Sequence, residues 1–347
     1  MRFLIVCFLF FSLVGHAAVV VEAFATHATT VSVIDTATNT VTATVIGGSN
    51  FQGITITPNG SFAYACNNGA TNVSVINTAT NTLTATVTVG SNPFRVTITP
   101  NGSFAYVSNR GSTNVSVINT ATNIVTATVT VGSLPQGIAI TPNGSFAYVC
   151  NEGAGTNVSV INTATNIVTA TVTVGSNPFD AAITPNGSFV YVANGFSSNV
   201  SIIDTGTNTV TATVTVGSTP AAVAITPNGS FAYVSNQGSS NVSVIDTATN
   251  IVTATVTVGS TATGVAITPN GSFAYVANSS GVSVINTATN VVTATISVGS
   301  SRFVAIGGVA RPFFPTGGVV ISACEGDEEE QDWRWWNAWE EGVGIAK

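Results

Sequence analysis

Residues 98–109 read ITPNGSFAYVSN, residues 114–133 read NVSVINTATNIVTATVTVGS, and the two together form a unit that recurs along the chain at a step of about 42 residues. The TPNG turn returns with its asparagine at Asn59, Asn101, Asn143, Asn186, Asn228 and Asn270, and a VS[VI]I[ND]T[AG]TN segment starts at Val31, Val73, Val115, Val158, Val200, Val242 and Val282. A fixed period of this size overrides the domain count that length alone suggests. Within a unit, an apolar strand a (ITI, VAI) precedes TPNG. Strands b (SFAYV), c (NVSVI) and d (VTATVTV) follow, and b and d alternate with period two. Pro-Asn-Gly supplies the a–b turn, where Pro presets φ and Asn and Gly tolerate positive φ. Asx and Thr side chains can cap the c–d turn.

Seven four-stranded antiparallel units predict an all-β fold, a seven-bladed β-propeller. The first unit, from Val20, lacks its opening strand, with Phe24 at the tyrosine position and His27 at the asparagine position. The last full unit is followed by SSRFVAIGGV, a strand a with no strand b. Pairing Phe303–Val309 with Val20–Ala25 closes the first blade with a C-terminal strand and leaves no open edge between blades.

Outside the repeat, residues 1–17 read as a secretory signal peptide. Arg2 starts it, an apolar run spans Phe3 to Val14, and small residues allow cleavage after Ala17 or Ala18. The run is short for a transmembrane anchor, which needs about twenty apolar residues. The propeller is expected over 18–315. Residues 316–347 form an acidic tail holding all four tryptophans and eight of the fourteen acids. It reads as disordered or weakly helical, with a partner-binding amphipathic segment or a reading-frame accident as alternatives. The body between Ala18 and Pro315 has six acids against four arginines. Such a body lacks a basic field for nucleic acid. The expected location is secreted, extracellular or on the cell surface, with the periplasm also open.

The FAYVSN, Tyr191-Val192-Ala193-Asn194 and SVIDTATN segments resemble the YVTN-type β-propeller repeats of secreted and cell-surface proteins, such as archaeal surface-layer propellers. The resemblance covers Val20 to Val309 and implies the fold far more than any activity.

The b–c loops and d–a connections vary from blade to blade while the a–b and c–d turns scarcely change. In a propeller both variable sets emerge on one face, and loops on a rigid scaffold carry binding residues. The candidate binding face is Phe94, Arg95, Arg110, Gln136, Glu152, Phe179, Asp180, Phe196, Arg302 and Phe303. Arg95 and Asp180 hold equivalent positions beside the central channel. Gly53, Gly137, Ala222, Gly264 and Val304 hold that position elsewhere, which predicts an open channel mouth facing one cation and one anion. Arg110 and Glu152, equivalent in adjacent blades, suit a surface ion pair.

The mature chain has one histidine and no His–carboxylate cluster. No metal or cofactor site is therefore expected, and few groups exist for acid–base work. The lactonase and quinoprotein dehydrogenase propellers that resemble this repeat depend on such groups. Cys66 and Cys150 lie two blades apart, too far for a disulfide, and Cys324 is left for pairing between chains. Asn-Gly-Ser and Asn-Val-Ser sequons recur from turn and strand chemistry copied by duplication, and they indicate glycosylation only where the host has that machinery. The leading expectation is a non-catalytic binding or display scaffold for a protein or glycan ligand. The alternatives are a lactonase- or dehydrogenase-like enzyme at the channel mouth, and a coat element self-associating through its outer strands.

Overall fold

The computed structural model describes residues 18–153 and 156–311. The signal-peptide segment, the acidic tail and Cys324 lie outside the described residues. Twenty-eight strands, β1 to β28 in chain order, form seven four-stranded antiparallel sheets. Blade 3 shows the pattern. Strand a is β8 (Pro93–Ile98), b is β9 (Phe104–Asn109), c is β10 (Asn114–Asn119) and d is β11 (Ile124–Thr130). Blade 1 is assembled from both ends of the described chain. β28 (Val304–Arg311) pairs antiparallel with β1 (Ala18–Thr26), with Val20 opposite Val309, ahead of β2 (Thr30–Asp35) and β3 (Thr40–Ile46). The ring closes as the repeat count requires.

The period-two patterns become burial. Strands b and c are almost wholly buried, whereas strand d runs exposed and half-buried in alternation. Seven apolar clusters form, each drawing residues from two adjacent blades. Phe24, Val31 and Val33 of blade 1, for example, pack on Phe51, Ile54 and Ile76 of blade 2. A Val or Ile buried there stabilises the ring by about 1.5–3 kcal/mol, so the blades hold one another rather than standing alone.

Polar groups fix the geometry. The TATN asparagine of every blade, such as Asn123 and Asn208, sits at φ near +55°, a left-handed position that Asn tolerates better than branched residues. In six of the seven seams, the strand-b tyrosine donates to that asparagine in the next blade: Tyr64 to Asn123, Tyr106 to Asn166, Tyr148 to Asn208, Tyr191 to Asn250, Tyr233 to Asn290 and Tyr275 to Asn39, at 2.6–2.8 Å. Phe24 has no hydroxyl to repeat this bond. The a–b turn differs from expectation in one respect. Only its glycine takes positive φ, while Asn59 keeps its Oδ1 to accept from Thr57 Oγ1 and the Ser61 N–H. The c–d carboxylates and amides cap their turns, Asp35 Oδ1 accepting from the Ala37 N–H at 2.8 Å.

Candidate active site at the channel mouth

Strand a enters each blade beside the axis, so its first residues are presented to the same central space in every repeat. At one repeat position where strand a enters, Phe94 of blade 3, Phe179 of blade 5 and Phe303 of blade 1, the residue just before β28, converge. The Phe94 ring meets the other two edge-to-face at 5.8 Å, a favoured aromatic geometry. Rings from three non-adjacent blades can touch only at the axis. Phe94 and Phe303 are buried, at 9% and 3% exposure. The expectation of an open mouth is thus corrected: the ring of small residues leaves room that the phenylalanines, one position earlier, fill.

Beside this aromatic plug lies the Arg95–Asp180 pair. Arg95 Nη2 is 2.9 Å from Asp180 Oδ2, with both side chains mostly buried. The guanidinium carbon also sits 3.8 Å from the Phe303 ring centroid, a cation–π contact. The pair spans from blade 3 to blade 5 because blade 4 has glycine between them. A Cβ on Gly137 would lie 2.5 Å from Asp180 Cα and 2.7 Å from its Oδ1. Gly53 gives the same clearance to Arg95, where a Cβ would lie 2.9 Å from its Cδ. Asp180 Oδ2 also accepts from the Val223 N–H at 3.3 Å. Burial pushes the Asp180 carboxyl above its ordinary range, against the pull of Arg95 and of the Val223 and Ala181 N–H groups. Burial likewise lowers Arg95, opposed by Asp180. Arg95 Nη2 meets Asp180 as an ion pair without hydrogen-bond geometry, and Arg95 Nε is enclosed with no acceptor.

A second polar group flanks the plug. Glu152 accepts from Arg110 Nε and Nη2, at 2.9 and 2.7 Å, from Gln136 Nε2, and from Asn177 Nδ2 at 3.2 Å. Arg110 lies 5.8 Å from the Phe94 ring centroid and is the more exposed partner of the pair. Arg302 donates to Asn50 Oδ1. Phe196 stands apart on its loop, 78% exposed. Nine of the ten candidate residues thus fall into linked groups at the mouth. The sequence reading missed Asn50, Asn177, Gly53 and Gly137 as supports. The Ser-Asn pair at the first two, and the isolated glycines at the last two, were the available signals. Cys66 and Cys150 are buried free thiols, raised by burial. Among the described residues, no three His, Cys, Asp or Glu side chains converge as metal ligands.

The family model described as "Lactonase, 7-bladed beta-propeller" matches residues 13–130, and that described as "Choice-of-anchor I domain" matches residues 113–267. No curated protein matches the chain in sequence. Among solved structures, a functionally unknown protein from Desulfotomaculum acetoxidans superposes with a TM-score of 0.73 at 18% identity, over 84% of this chain and 99% of that one. A protein described as a 6-phosphogluconolactonase from Bacteroides uniformis gives 0.71 at 17% identity, over 83% and 99%. Hydrazine synthase of Kuenenia stuttgartiensis gives 0.69 at 24% identity, over 75% and 90%. These structural likenesses show the fold. The lactonase family match overturns the expectation that the chain is not an enzyme. That expectation counted histidines and metal ligands, and the count takes no account of an ion pair enclosed in a low-dielectric channel, where one charged pair acts far more strongly than on a surface. The chain is a seven-bladed β-propeller with a lactonase-type match over its first three blades, and that match points toward an enzyme-like propeller.

Proposed function

We propose that the chain is an exported propeller enzyme of the lactonase type, built from YVTN-type repeats, which opens a small polar cyclic ester at the channel mouth. The observation that carries the reading is the Arg95–Asp180 pair beneath the phenylalanine plug. A buried carboxyl shifted by desolvation and held by one specific charge is the signature of a working acid or base. In this reading Asp180 takes a proton from water as the water oxygen adds to the ester carbonyl. The Arg95 Nε–H, which has no acceptor within the protein, then serves the developing oxyanion. The ring C–O bond breaks, and the proton passes from Asp180 to the departing alkoxide. The phenylalanine rings part to admit the ester and exclude bulk water when they close. The lactonase family match over residues 13–130 supports the reaction class.

The test is acid release from a panel of five- and six-membered lactones, with and without polar substituents. Asp180→Asn should lower kcat by about 10²–10⁴-fold, the usual contribution of a positioned acid–base group. Phe196→Ala, far from the pair, should leave kcat unchanged. A folded protein that turns over none of the panel refutes the reading, as does an Asp180→Asn variant with undiminished kcat.

A further inference from the structure

The sequence holds two repeated families of N-x-S sequon, and the structure separates them. In the first, Asn-Gly-Ser, the asparagines are Asn59, Asn101, Asn143, Asn186, Asn228 and Asn270, and all six are exposed. Each uses Oδ1 to accept two bonds. In blade 3 these come from Thr99 Oγ1 at 2.7 Å and the Ser103 N–H at 3.0 Å, and the other five blades repeat both. This Asx turn fixes the amide with its oxygen held to the backbone and its Nδ2 uncommitted at the surface. The sequon serine is exposed in four blades and half-buried at Ser61 and Ser188, and the turn takes only the serine N–H.

The second family, Asn-Val-Ser, is built into the blade. In blade 3, Asn114 Oδ1 accepts from Asn109 Nδ2 at 2.7 Å, and the sequon hydroxyl, Ser116 Oγ, accepts from the same Nδ2 at 2.9 Å. Blades 2, 4, 5 and 6 repeat both bonds. The serines are 1–3% exposed. A modifying enzyme has no access to a hydroxyl enclosed between two strands.

We propose that the six Asn-Gly-Ser turns are acceptor sites for N-linked sugar, forming a glycan-bearing face opposite the channel mouth described above. The inference is independent of the lactonase reading. In the transfer, Nδ2 bonds to the anomeric carbon of a phosphate-activated sugar. The sugar–oxygen bond breaks with its electron pair going to the phosphate leaving group, and the amide loses one proton to base. A propeller body with six acids against four arginines, and with no charged residue in any strand d, has little charge to keep its outer edges apart. Sugars on one face supply that separation.

The test incubates the folded, unmodified chain with a soluble N-glycosyltransferase and a nucleotide-activated hexose, then maps sites by peptide mass spectrometry beside a urea-denatured control. Up to six hexoses are expected on the folded protein, all at Asn-Gly-Ser, with the Asn-Val-Ser sites modified only after denaturation. The variant with Ser61, Ser103, Ser145, Ser188, Ser230 and Ser272 all changed to Ala keeps every Asx-turn bond and should take no hexose when folded. A folded wild type left unmodified, whatever the denatured control does, overturns the proposal. So does modification of the folded protein at Asn-Val-Ser.

Discussion

Asp180→Ala removes the one carboxylate that, among the described residues, faces the Arg95 guanidinium. Arg95 Nη2 lies 2.9 Å from Asp180 Oδ2 with both side chains mostly enclosed, and Arg95 Nε is enclosed without an acceptor. Breaking one side of a buried pair costs about 3–5 kcal/mol, because the surviving charge stays buried. The stacking of Arg95 on Phe303 is present with or without Asp180 and offsets none of this, so a loss of about 3–5 kcal/mol is expected. The repeat supplies its own control. Five other blades carry Gly, Ala or Val at this position and close normally, so the site tolerates neutral residues. Arg95→Met with Asp180→Ala should therefore return to within about 1 kcal/mol of wild type, since neutral replacement of a buried pair is often neutral or stabilising. Equilibrium unfolding in urea, followed by far-UV circular dichroism and tyrosine fluorescence together, measures both variants. The two probes must coincide for the comparison to hold. A double variant at least as unstable as Asp180→Ala alone refutes the reasoning, because the cost would then come from lost packing rather than from stranded charge.

Three further outcomes follow from the same geometry. Tyr148→Phe removes the hydroxyl that donates to Asn208 across one seam and should cost about 0.5–1.5 kcal/mol, read as a lower urea midpoint with unchanged slope. Burial raises all six strand-b tyrosines, five of them to about 12. The folded state therefore keeps protons that the unfolded state releases above its ordinary value of about 10. Stability is fully present below about pH 10 and falls as pH rises toward 12, so phenolate absorbance should appear together with loss of strand signal rather than before it. Leu134 occupies a left-handed φ of 50° where Asn50, Asn92 and Asn177 stand in other blades, so Leu134→Asn should stabilise by about 1 kcal/mol, seen as a higher melting temperature.

The blade count, the closing strand and the capped c–d turns were legible because each rests on local pattern or on arithmetic along the repeat, whereas the left-handed φ of the TATN asparagines was not foreseen. The tyrosine latch was not. Tyr148 and Asn208 are each constant within their own units, and nothing in either segment says that one reaches the other across a seam. The channel was misread for a related reason. Phe94, Phe179 and Phe303 were visible as variable residues at one repeat position, but their meeting depends on the radius of the ring. Gly137 looked like an open space, and it is the clearance that lets Asp180 lean toward Arg95. The charges of Arg95 and Asp180 at one repeat position were readable from sequence, and their direct contact across blade 4 was not.

Closure of blade 1 by β28 also sets the order in which the molecule can be finished. Residues 18–26 have no inner neighbour until residues 304–311 arrive, so the last-made strand of the ring secures the first-made one. Six blades can dock in sequence as they appear, each on its predecessor, but the circle cannot become a circle by degrees. Contacts of such long sequence separation form late and slowly. Until they form, blade 1 presents an unpaired inner edge, so the window between synthesis and closure is when this chain is most exposed to wrong partners.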